Sequence, residues 1–129
     1  MRLLLDTQIV LWYQGNNPQL SANASAILLN ANNQLLVSAA TGWEMAIKIS
    51  SGKLSVDLPD SMAAATRRGI ETLPLLPPHF LQVAALPYPD DKHRDPFDRL
   101  IIAQALTESI PVLTADDKFD LYAGVQRLF

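Results

Sequence analysis

The run Leu3-Leu4-Leu5, entered from Arg2 and stopped at Asp6, constrains the fold more than any other feature of the chain. It shows no polar alternation, so a strand over Arg2 to Leu5 has to be buried on both faces. That is the situation of a parallel sheet covered by helices on each side. A second run, Leu35 to Ser38, has the same character. Pro111-Val112-Leu113-Thr114 reads as a further strand, Glu71 to Leu75 as a short one, and Val125 to Leu128 as the last, at an edge.

Helical patterns fill the intervals. Asp6-Thr7 opens one that stops at Gly15-Asn16-Asn17-Pro18. Ser21 is placed to cap a second, through Ala31. Ala40 to Ile49 carries Trp43, Ala46, Ile47 and Ser50 at helical spacing and ends at Ser51-Gly52. A helix with Asp60 as its N-cap is expected to run to Arg68 and close at Gly69. Pro77-Pro78 begins another through Ala85, since proline is tolerated in a first turn. Residues 87–96, with three prolines and many charges, form a loop. Pro96-Phe97-Asp98 starts a strong helix, and Asp116 to Leu121 is a short helical turn. The order β-α-α-β-α-α-β-α-α-β-α-β predicts a three-layer α/β/α sandwich on a central parallel sheet of four to five strands. At 129 residues, with no linker or repeat, the whole of 1–129 reads as one domain.

Ligands of such sheets bind beyond the carboxyl ends of the strands, where strand order reverses. Asp6 and Thr7 follow the first strand. Ser38 follows the second, with Glu44 further along the next helix. Thr114 and Asp116 follow the fourth, and Asp98 lies in the first turn of the helix that leads into it. Each acid alone has a plain explanation: a cap at Asp6 or Asp116, a solvated helix position at Glu44, dipole stabilisation at Asp98. Their common placement at strand exits is what those readings leave unexplained. Carboxylates crowded into one pocket repel each other unless a cation offsets them. Mg²⁺ prefers such oxygen donors and works beside phosphates. One or two ions would activate water, orient a phosphodiester and stabilise the leaving oxygen.

Composition sharpens this. With no cysteine, thiolate zinc sites, iron–sulfur sites, disulfide scaffolds and cysteine nucleophiles are excluded. No glycine-rich phosphate loop and no G-x-S-x-G elbow is present. His79 and His93 lack ligand spacing, His79 reading as a surface or helix-cap residue. Trp12, Tyr13 and Trp43 read as core or contact residues, and Asp90 and Asp91 as solvated loop charge. Formal charge is −3, which by itself argues against a broad nucleic-acid face. Eight of the 13 acids, however, lie between Asp90 and Asp120, and a bound divalent ion would supply positive charge itself. Asp6 interrupts the leading apolar run before it resembles a signal peptide, and no membrane-spanning run is evident, so a cytoplasmic domain is expected.

Four blocks in order resemble the PIN (PilT N-terminus) domain family, in particular its VapC-type toxins of type II toxin–antitoxin modules. They are Leu3-Leu4-Leu5-Asp6-Thr7, the stretch from Val37 through Trp43-Glu44-Met45-Ala46-Ile47-Lys48, the run His93-Arg94-Asp95-Pro96-Phe97-Asp98-Arg99-Leu100-Ile101-Ile102-Ala103-Gln104-Ala105, and Leu113-Thr114-Ala115-Asp116. The resemblance implies a Mg²⁺- or Mn²⁺-dependent endoribonuclease leaving 5′-phosphate and 3′-hydroxyl ends. Asp6, Glu44, Asp98 and Asp116 would form its catalytic metal site. Thr7, Ser38 and Thr114, with Asp95 further out, would orient those groups. Lys48, Arg94 and Arg99 would meet phosphate or pair with the acids, the ion pair being favoured for Arg99. A cognate antitoxin and a homodimer are the implied partners, beside an RNA substrate. Gln8 and Ala115 stand where relatives often have His and Arg; neither removes a metal ligand, but the second takes one positive charge from the mouth of the site. A phospho-receiver domain would need an Asp after a middle strand and a Lys after the last. The third strand instead ends in Leu75-Leu76-Pro77, and the last ends the chain without a lysine. A non-catalytic PIN-like module that binds RNA or protein would usually have lost one of the four acids.

Overall fold

The computed structural model describes residues 1–90 and 93–129. The strands are β1 (Arg2–Leu5), β2 (Gln34–Ser38), β3 (Glu71–Leu73), β4 (Val112–Leu113) and β5 (Arg127–Leu128). The helices are α1 (Thr7–Gln14), α2 (Ala22–Leu29), α3 (Ala39–Ser50), α4 (Leu58–Arg67), α5 (Pro77–Ala85) and α6 (Pro96–Glu108), with a 3₁₀ turn over Asp117–Leu121. The sheet is five-stranded, parallel throughout, in the order β3-β2-β1-β4-β5. Chain order runs outward from β1 to β3 on one side and through β4 and β5 on the other, so the crevice between β1 and β4 is the switch point.

The two-faced burial of β1 follows from its leucines. Leu4 enters a core with Leu36, Ile101, Ile102, Val112 and Phe119 on one side of the sheet. Leu3 and Leu5 enter a second core with Ile9, Val10, Ala24, Leu28 and Leu113 on the other. All three leucines are fully buried. Each sequestered leucine side chain contributes about 1.5–3 kcal/mol of transfer free energy.

Local chemistry sets the boundaries, and several differ from the sequence reading. Ser21 caps α2 as expected, accepting from the Ala24 N–H at 3.1 Å. The cap of α4 is Asp57 rather than Asp60: Asp57 Oδ1 accepts from the Asp60 N–H at 3.0 Å, and Pro59 then occupies the first turn, where its missing donor is harmless. Gly69 does close that helix, at φ +73°, a conformation an L side chain adopts only with strain. α3 turns a mixed polar and apolar face inward. Trp43 and Ile47 are exposed, and the buried positions are Ala40, Thr41, Glu44 and Met45. Trp43 instead meets the edge of the Phe97 ring, centroids 5.2 Å apart. β3 stops at Leu73 and β5 begins at Arg127, both shorter than expected. Asp90 is not mere solvated charge, since it accepts the His93 N–H at 2.7 Å. Asp91 lies outside the described residues. Among the described residues, no helix is long and apolar enough to cross a membrane.

Candidate metal centre

Beyond the carboxyl ends of β1 and β4 lies a cleft of about 580 Å³, lined by Asp6, Glu44, Asp98 and Asp116 among others. Sheet pairing delivers the first acid: the Asp6 N–H donates to the Leu113 carbonyl at 3.0 Å, one step past the ladder. Thr114, from the neighbouring strand exit, donates its hydroxyl to Asp6 Oδ2 at 2.8 Å and accepts the Asp116 N–H at 3.0 Å. One buried hydroxyl thus fixes two acids. Asp116 also caps the 3₁₀ turn, through Oδ1 to the Lys118 N–H.

Glu44 comes from the buried face of α3. Its Oε1 accepts from the Thr7 hydroxyl at 3.0 Å, and its Oε2 from Lys48 Nζ at 2.8 Å, one helical turn on. Thr7 in turn touches the Thr41 hydroxyl at 2.9 Å. Asp98 is brought in by the start of α6. Asp95 caps that helix, accepting from the Phe97 and Asp98 N–H groups. Asp98 Oδ2 faces His93 Nε2 at 3.3 Å.

The electrostatics carry the mark of crowding. Burial raises the Asp98 carboxyl to about 8, with the charges of Asp6, Asp95, Glu44 and Asp116 adding to it. Asp6 is raised to about 6, again first by burial; the Thr114 and Thr7 hydrogen bonds oppose this, while Asp116 and Glu44 reinforce it. Lys48 is held above its usual value by its bond to Glu44. Sites whose acids resist ionisation in this way are eased by a cation, and the donor set fits a hard divalent ion. His93, Asp98 and Asp116 each offer a ligand atom, all within 4.8 Å of one another.

The structure thus brings all four expected acids to one cleft, with Thr7, Thr114 and Asp95 bonded as orienting groups. Ser38 departs from the expectation. It caps α3 through the Ala40 N–H at 3.0 Å and faces a separate apolar groove of about 370 Å³ between α1, α3 and α4. That groove has no ionisable side chain in its lining. Arg99 also departs. It is buried, and its guanidinium donates to the Leu86 and Pro87 carbonyls and the Tyr122 hydroxyl, with no carboxylate in ion-pair range among the described residues. A fork used up on carbonyls cannot meet a phosphate. Arg94 lies over the Tyr88 ring at 4.3 Å, outside the cleft lining, whereas Lys48 and Lys53 do line it. His93, dismissed for want of ligand spacing, is the main residue the sequence reading missed. His79 does serve as a helix cap, its Nδ1 accepting from the Leu76 N–H, but it is buried rather than on the surface.

A doubly covered parallel sheet with an acid cluster at its switch point defines a class of α/β protein suited to holding a divalent cation. The chain belongs to the PIN domain family, whose model matches residues 3–125. Its fold is similar to that of a chain from VapBC2 of Rickettsia felis bound to a promoter DNA fragment, with a TM-score of 0.74, 17% identity, and coverage of 99% of this chain and 98% of that one. A chain from VapBC-1 of nontypeable Haemophilus influenzae gives a TM-score of 0.68 at 22% identity, covering 99% and 97%. One from FitAcB of Neisseria gonorrhoeae gives 0.62 at 21%, covering 98% and 96%. No curated protein matches the sequence.

Proposed function

We propose that the protein is a divalent-metal-dependent endoribonuclease and the toxin of a type II toxin–antitoxin pair, residues 1–129 acting as one cytoplasmic unit. The observation that carries this reading is the meeting of four carboxylates from distant segments in one cleft, two of them pushed well above the usual carboxylate range. Asp6, Asp98 and Asp116, with Glu44, would hold Mg²⁺ or Mn²⁺. When bound, the ion supplies charge neutralisation for phosphodiester hydrolysis.

The rest is work for the chain's own side chains. Thr114 holds Asp6 and Asp116 in register, so both carboxylates are preorganised before substrate arrives. Thr7 and Lys48 occupy one oxygen each of Glu44, fixing it against the wall of the cleft. Lys48 and Lys53, in the cleft lining, present positive charge to an RNA backbone. Family membership favours a nuclease over a phospho-receiver, and the presence of all four acids argues against a non-catalytic module.

An antitoxin partner is supported by the similarity to chains from VapBC, FitAB and other toxin–antitoxin complexes. A homodimer is supported by exposed Trp43 and Ile47, four apart on α3, beside Phe97. The decisive assay presents single-stranded RNA and DNA side by side with Mg²⁺. Cleavage of RNA that is lost in Asp6→Asn is expected; equal cutting by both proteins would sink the assignment, and preference for DNA would change the substrate.

A further inference from the structure

We propose that His93 is a positioning residue, whose Nε2–H holds the Asp98 carboxylate in the orientation a cation needs, and whose own proton is placed there by Tyr122 and Arg99. The inference rests on the reading of the cleft as a metal centre and deepens it. His93 is buried, beside the rings of Tyr122 and Phe119. Its Nδ1 lies 2.7 Å from the Tyr122 hydroxyl and its Nε2 3.3 Å from Asp98 Oδ2.

The hydrogen-bond lengths favour one assignment of donor and acceptor roles. A guanidinium can only donate, so Arg99 Nη1, 3.3 Å from the Tyr122 oxygen, makes that oxygen an acceptor. The phenol has one proton to give. It is 3.5 Å from the His93 carbonyl and 2.7 Å from His93 Nδ1, and only the second is a good hydrogen-bond length. The shorter contact assigns the phenol proton to Nδ1, which leaves the ring N–H on Nε2, facing Asp98. The opposite tautomer would turn a bare nitrogen lone pair towards the ionised Asp98 carboxylate, the form that a cation takes up. Arg99 is anchored independently by the Leu86 and Pro87 carbonyls, so the chain Arg99–Tyr122–His93–Asp98 starts from a fixed point. This gives buried Arg99 and Tyr122 a function at the cleft though neither lines it.

The test combines imidazole ¹⁵N NMR on the wild-type protein with Mn²⁺ calorimetry on wild type, His93→Ala, His93→Gln and Tyr122→Phe, each checked for folding by circular dichroism. The NMR is expected to show the Nε2–H form. Mn²⁺ affinity should fall about tenfold to a hundredfold in His93→Ala, as for other groups that orient metal ligands. His93→Gln, whose amide restores a donor, should recover most of it, and Tyr122→Phe should fall between. An Nδ1–H tautomer, or equal affinity in the folded variants, would overturn the proposal. So would nitrogen coupling in the electron paramagnetic resonance of bound Mn²⁺, since that would make His93 a ligand. If wild type takes up no Mn²⁺ at all, the metal-centre reading fails, while the NMR still decides which nitrogen carries the proton.

Discussion

At the scale of single residues, the cleft is a set of carboxylates whose lone pairs are already partly committed. Thr114 illustrates the stakes, since its hydroxyl serves Asp6 and Asp116 together. Thr114→Val, nearly isosteric, should destabilise the fold by about 1–3 kcal/mol, measured by urea denaturation, because it leaves buried partners unmatched. Asp98→Asn should do the reverse in metal-free buffer. Removing a carboxylate whose ionisation is resisted should raise the melting temperature near neutral pH while cutting RNA cleavage by about 10²–10³-fold. Asp6, Asp98 and Asp116 were legible in the sequence because each follows a strand or opens a helix at the same end of the sheet, and Glu44 because it lies on the helix that leaves the second strand. His93 was not, because what gives it a role is Tyr122, 29 residues away, and a loop whose path no periodicity dictates. Arg99 was misread for a related reason: its carbonyl partners on Leu86 and Pro87 belong to the end of α5, and backbone acceptors leave no trace in side-chain pattern.

At the scale of elements, strands were easier to place than helix faces. β1 and β2 announced themselves as unalternating apolar runs, which only a sheet covered on both sides can bury. The inner face of α3 carries Thr41 and Glu44 beside Ala40 and Met45, while Trp43 and Ile47 look outward. Amphipathicity misleads when a helix turns polar side chains into an acidic cleft, since they are buried there by hydrogen bonding and not by transfer free energy. At the start of α4 two aspartates three apart both fit a capping pattern, and the choice rests on Pro59. Helical backbone begins at Leu58, which leaves Asp57 as the residue with extended geometry. Asp57→Ala should therefore cost about 1 kcal/mol and Asp60→Ala only a few tenths, a difference that chemical denaturation resolves. In the core, Phe119→Ala should cost about 3–5 kcal/mol, because the ring is fully buried between the sheet and α6.

At the scale of the molecule, the net charge of −3 takes on a different meaning. Much of the acidity that argued against nucleic acid is gathered at the switch point of the sheet, where a cation would change its sign. The fold holds these carboxylates against the cost of burial and, to a lesser degree, their mutual repulsion, and a divalent ion would relieve both. Asp6 and Asp98 have folded-state values raised above the unfolded one, so the folded protein binds protons more tightly than the unfolded chain. Their contribution to stability is therefore greatest at low pH and is lost as pH rises from about 4 to about 8. Glu44, Lys48 and Asp95 line the same cleft, and His93 faces Asp98. The most direct measurement is the melting temperature between about pH 5 and about pH 8, with and without Mg²⁺, on wild type and Asp98→Asn. The metal-free wild-type curve is expected to fall as pH rises, with a Mg²⁺ stabilisation that grows with pH and a flatter response in Asp98→Asn. Identical curves for the two proteins, or a melting temperature indifferent to Mg²⁺ throughout, would contradict it.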